Sequence, residues 1–75
     1  MNKDRRERIN AARELLEQAQ TAFEYIRDEE QEAFDNLPES LQCSERGYTM
    51  DTNVSTLDEV VEGISDVLDK LDEIE

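Results

Sequence analysis

The run Ile9-Asn-Ala-Ala12-Arg-Glu-Leu-Leu16-Glu-Gln-Ala19-Gln-Thr-Ala-Phe23-Glu-Tyr-Ile26-Arg-Asp-Glu-Glu30-Gln-Glu-Ala33 decides the fold. Ile9, Leu16, Phe23, Glu30 and, further on, Leu37 recur every seven residues, and Ala12, Ala19, Ile26 and Ala33 follow each by three. That is an a/d seam sustained over successive heptads, the pattern of a helix that lies against another helix. Downstream, Met50, Leu57, Ile64 and Leu71 form a second a series, with Asn53, Val60, Val67 and Ile74 at d. Flanking apolar residues widen both stripes: Leu15 and Ala22 on the first, Val54, Val61 and Leu68 on the second. A pair of helices needs only a and d, so the extra stripe Val54, Val61, Leu68 is expected to pack against a further chain.

One interruption separates the seams, Asn36-Leu-Pro38-Glu-Ser-Leu-Gln-Cys43. Pro38 disfavours helical geometry at Leu37 and removes an amide donor, so the first helix must stop before it. The reading is a single domain over residues 1–75, with helix 1 at about 4–35, a turn at about 36–44 and helix 2 at about 45–74. Ser55 or Thr56 with Glu59 would cap a later start, but the a series runs back through Met50 and favours the early one. Gly47 and the Thr/Asn/Val/Ser stretch after it have weak helix propensity and mark the expected weak point of helix 2.

The fold class expected is therefore all-α: an antiparallel, coiled-coil-like two-helix hairpin that dimerises into a four-helix bundle. Pairing residues whose numbers total about 80 sets Ile9 beside Leu71, Leu16 beside Ile64 and Phe23 beside Leu57, large against large in each layer. It also sets Arg5, Arg6 and Arg8 against Asp72, Glu73 and Glu75. A lone hairpin would leave Val54, Val61 and Leu68 wet, forfeiting roughly 1.5–3 kcal/mol for each large side chain, which favours the homodimer.

Composition narrows function by exclusion. With no His and one Cys, there is no His-ligated metal, no Ser-His or Cys-His nucleophile and no internal disulfide. Eight basic residues against 21 acidic ones leave a net charge of −13, which opposes direct binding to nucleic acid or an anionic membrane. No apolar run is long enough for a leader core or a membrane span. The expectation is a cytoplasmic protein, not an enzyme, with no catalytic residue, metal or cofactor.

The candidate interaction surfaces are two. Asp51, Asp58, Glu59, Glu62, Asp66 and Asp69 lie along helix 2; Asp58, Glu62, Asp66 and Asp69 step by three or four and should form a row about 6 Å apart. Such a row can occupy a channel whose Lys and Arg otherwise meet phosphates, though a solubilising outer face has the same composition. Around the turn, Glu32, Phe34, Asp35, Leu41 and Tyr48 combine apolar groups with acids, the make-up of a recognition tip. Asp51 to Glu62 imitates the ligand spacing of a calcium loop, yet Thr56 stands where a sharp turn needs Gly, so a helix face is the better reading. Glu30 and Asn53 are polar within the seams and are expected to reach water near the turn, and Cys43 reads as a partly buried turn residue.

The run Arg27-Asp-Glu-Glu-Gln-Glu-Ala-Phe-Asp-Asn-Leu-Pro-Glu-Ser-Leu-Gln42, followed by Ser44-Glu-Arg-Gly47, resembles a family of small acidic helical-hairpin proteins encoded by bacteriophages, prophages and other mobile elements. The resemblance covers roughly residues 24–75. Relatives are richer in Glu and Ala where this chain has Asp51–Thr56, which makes that segment the test of helix 2. Members of that family have no assigned activity; a mobile-element origin implies an anti-defence inhibitor or modulator of a nucleic-acid-handling or defence complex in the cytoplasm of a bacterial host, acting through a DNA-mimic-like acidic face. The alternative is an assembly subunit that completes a partner's helical bundle through its apolar face.

Overall fold

The structure, a computed structural model, describes residues 1–75 and is all-helical: α1 spans Lys3–Asp35, α2 Glu39–Gln42 and α3 Glu45–Leu71. Each start has a local cause. Asn2 accepts the amide of Arg5 at 2.8 Å, and Ser44 accepts the amide of Gly47 at 3.4 Å, so a side-chain oxygen satisfies one orphan donor at each long helix. Pro38 ends α1 and leads into α2, a single helical turn. Past the end of α1 one side chain ties two carbonyls together: Gln42 Nε2 donates to Phe34 O at 3.3 Å, which also accepts the Leu37 amide at 3.0 Å, and to Leu37 O at 3.2 Å.

α3 lies alongside α1 in the opposite sense. Arg13 bonds to Asp72, Gln20 to Ser65 and Arg27 to Asp58, so partners descend α3 as α1 ascends. The molecule is a rod 59 × 16 × 12 Å across its Cα atoms. Asp51–Thr56 is continuous helix within α3. The helix ends at Leu71, short of residue 74; Glu73 and Ile74 bond back only three residues, a loosened final turn.

The seam between the helices is not the a/d seam of the heptad pattern. On α1 the partly covered residues are the a positions Ile9, Leu16, Phe23 and Glu30, the e positions Arg13, Gln20, Arg27 and Phe34, Glu24, and Ala19 alone among the d positions, whereas Ala12, Ile26 and Ala33 at d are exposed. On α3, Met50, Leu57, Ile64 and Leu71 at a are joined by Val54, Val61 and Leu68 at e and by Val60 at d, while Asn53 and Val67 at d are exposed. Val61, only 8% exposed, is the one buried hydrophobic residue of the chain. Val54, Val61 and Leu68 therefore serve the intramolecular seam, which corrects their assignment to a further chain. The two helices have rolled so that the stems of Arg13, Gln20 and Arg27 close one edge of the seam, as long amphipathic side chains can.

Gly47 is buried for a steric reason. A Cβ there would lie 2.2 Å from Gln42 O and 2.6 Å from Leu41 O, so α3 can pass this close to α2 only without a side chain. The expected weak point is thus a required close approach. Glu30 and Asn53, expected to reach water, meet at an exposed edge where Asn53 Nδ2 donates to Glu30 Oε2 at 3.0 Å; Cys43 is exposed, not partly buried.

Candidate functional site

The heptad repeat gives each flank of the rod its own chemistry. Residues Arg13, Gln20 and Arg27 are seven apart and share one edge of α1; Asp72, Ser65 and Asp58 are seven apart and share the facing edge of α3. They form a ladder: Arg13 Nη2 with Asp72 Oδ1, Gln20 Nε2 with Ser65 Oγ at 2.6 Å and Val61 O at 3.1 Å, and Arg27 Nη1 with Asp58 Oδ1 at 2.9 Å. Arg27 also holds Asp28 at 3.2 Å. The hydrogen bond that Arg27 donates to Asp28 raises its pKa, desolvation lowers it and the bond donated to Asp58 raises it again; the net shift is upward, so Arg27 stays cationic throughout any working range.

This ladder changes the roster of free carboxylates. Asp58 is paired with Arg27 and is half-buried, so it belongs to the seam and leaves the proposed row. Asp51, Glu59, Glu62, Asp66 and Asp69 are all exposed and none has a cation within salt-bridge distance. At 100° per residue Asp51, Glu62 and Asp69 fall within about 20° of one another around α3, with Asp66 and Glu59 further toward the outer side. The surviving row is therefore Asp51, Glu62, Asp66 and Asp69, next to the ladder. The basic start meets the acidic end through Arg13 alone; Arg8 pairs with Asp4 at 3.2 Å and Arg6 donates to Met1 O.

At the turn the five candidates separate. Glu32, Asp35, Leu41 and Tyr48 are exposed, but Phe34 is half-buried in line with the seam, with Gln42 on its carbonyl. Asp35 accepts from Gln31 at 2.9 Å, and Tyr48 lies in a shallow outer groove with Glu45, Thr49, Thr52 and Asn53. The tip thus presents the acids Glu32 and Asp35 with Leu41 and Tyr48 exposed and Phe34 drawn toward the seam. The calcium-like spacing is dispersed by the helix, because Asp51 and Asn53, two residues apart, diverge by about 200° around the axis. No three Asp, Glu or Cys side chains converge as a metal site.

Gln20 and Gln42 are the residues that sequence reasoning passed over. The only signal for Gln20 was its heptad spacing from Arg13 and Arg27; for Gln42, its place just past a proline stop. No helix is long and apolar enough to cross a membrane. Comparison with protein-family models, curated proteins and solved structures returns no match, so the functional reading rests on the charge and apolar faces of the rod itself.

Proposed function

We propose that the chain is a non-enzymatic interaction module, a helical hairpin that acts as a dimer and uses its acidic α3 flank to occupy the basic surface of a bacterial nucleic-acid-handling or defence protein. The observation that carries this reading is the row Asp51, Glu62, Asp66 and Asp69, exposed and unmatched by any cation. A rigid helix holds those charges at fixed spacing, so a basic groove that tracks phosphates can meet them with little ordering cost. The phage-like resemblance of Arg27–Gly47 agrees with an inhibitor's role but is associational.

The test is capture from bacterial lysate on immobilised protein, with elution by duplex DNA and by salt. Partners should be released by DNA and should bind far more weakly at high ionic strength, because the attraction is between charged surfaces. Converting Asp51, Glu62, Asp66 and Asp69 to Lys should abolish capture while helicity is kept; Asp58 is left alone because it pairs with Arg27. Capture that survives the reversal would reject the acidic-face mechanism. Capture that resists salt but fails with Ile26→Gln would instead favour the second reading, an assembly subunit, for which the exposed apolar groups Leu15, Ile26 and Val67 are the specific support.

A further inference from the structure

The flank opposite the ladder is apolar and uncovered. Leu15 is 67% exposed, Ile26 48% and Val67 47%, and exposed Ala12 and Ala22 lie among them. On α1, Leu15, Ala19, Ala22 and Ile26 step by four, three and four; on α3, Val60 and Val67 are seven apart, and both sets lie on the side away from Arg27 and Asp58, with Ala19 and Val60 partly covered where the flank meets the seam. We propose that this flank is the contact face of a symmetric dimer in which two copies meet face to face with their ends reversed, α1 against the partner's α1 and α3 against the partner's α3. This rests on the dimeric reading above and adds the face and the orientation.

Three observations carry it. The first is extent: the rod's face, 59 Å long and 16 Å wide across its Cα atoms, is about 900 Å² in outline, so a partner that covers the central apolar stretch and the polar ends beyond it can reach the roughly 800 Å² per partner of a stable interface. Only Val61 is a buried hydrophobic residue, so a single chain has almost no core and gains most from covering this face.

The second is charge. The turn end, residues 27–51, carries eight acids and two bases, while the open end, residues 1–13 with 69–75, carries six of each. Pairing like ends would stack two strongly negative turns; reversing them sets each turn against a neutral end that includes Arg5, which has no carboxylate within salt-bridge distance.

The third is register. A two-fold axis midway between Ala19 and Ala22 sets Leu15 on the partner's Ile26, and an axis midway between Val60 and Val67 sets those two valines on each other. Gln20 ties the two midpoints together, since its amide bonds to Val61 and Ser65 on either side of the α3 midpoint. One axis therefore serves both helices.

Sedimentation equilibrium over about 10–200 µM should give a dimer that tightens with added salt, because two chains of −13 repel. Ile26→Gln with Val67→Gln should weaken it at least tenfold, with helicity unchanged because both residues are exposed. A wild-type monomer across that range would overturn the dimeric reading itself. A dimer indifferent to both substitutions would overturn this face and leave that reading standing. Orientation is tested in Cys43→Ser protein by mixing a Leu15→Cys chain with an Ile26→Cys chain. Oxidation should yield the mixed disulfide, and predominance of like-with-like disulfides would overturn the reversed arrangement.

Discussion

Two glycines of α3 offer opposite outcomes from the same substitution. Gly63 is exposed and a Cβ there meets nothing within 4 Å, so Gly63→Ala should gain the helix-propensity difference, about 0.8–1 kcal/mol. At Gly47 the added Cβ would stand 2.2 Å from Gln42 O, where ordinary contact begins at 3.4 Å, and the obstacle is backbone, not a side chain that can turn away. Overpacking of that kind costs about 1–3 kcal/mol, and an overlap of more than 1 Å belongs at the upper end. Set against a gain of at most about 1 kcal/mol, Gly47→Ala should lose about 2 kcal/mol net. For a domain this small, 1 kcal/mol moves Tm by about 4–8 °C, so the two variants should move Tm in opposite directions, with Gly47→Ala down by about 8–16 °C. Thermal unfolding followed by far-UV circular dichroism at one fixed chain concentration is the assay, since self-association makes Tm concentration-dependent. If Gly47→Ala raises Tm as Gly63→Ala does, the close passage of α3 over α2 is refuted.

Other substitutions test the seam and its edges. Val61→Asp should unfold the chain, whereas Val67→Asp should leave helicity intact and lower only self-association; circular dichroism and sedimentation separate the two effects. Gln42→Ala, which removes a donor from Leu37 O and from Phe34 O while the latter keeps the Leu37 amide, should cost about 1 kcal/mol in urea unfolding. Gln20→Ala should cost about 1 kcal/mol, because Val61 O and Ser65 Oγ keep access to water on that edge. Asp58→Asn should cost no more than about 1 kcal/mol, since Arg27, 27% exposed, retains Asp28.

The all-helical class was legible from the seven-residue recurrence, and the start of α3 from Ser44 and the a series running back past Met50. The rotation of the helices about their axes was not. Heptad reasoning favours a and d, and Ala12, Ala19, Ile26 and Ala33 at d looked like core beside polar Arg13, Gln20 and Arg27 at e. In a pair with only one seam, long polar side chains can close an edge while alanines add little area when buried, so the seam settles on a and e. The same roll explains why Asp58 was misread as a free carboxylate and Val61 as a surface for another chain. Gly47 was misread because propensity describes an isolated helix and not what passes beside it. The acids Asp51, Glu62, Asp66 and Asp69 needed no such context, since helical spacing alone puts them on one side.

The most direct test of the central claim, one chain folded back so that opposite edges carry opposite chemistry, is a distance. Spin labels at Asn10→Cys and Glu75→Cys in Cys43→Ser protein report it by pulsed dipolar spectroscopy, with doubly labelled chains diluted in unlabelled ones so that only intrachain pairs contribute. Asn10 and Glu75 line one cleft with Ile9 and Leu71, so the account predicts a narrow distribution near about 20 Å, whereas a chain extended as one rod would place them roughly 100 Å apart at 1.5 Å per residue. A broad distribution or one centred beyond about 50 Å, more than half that extended length, would contradict it.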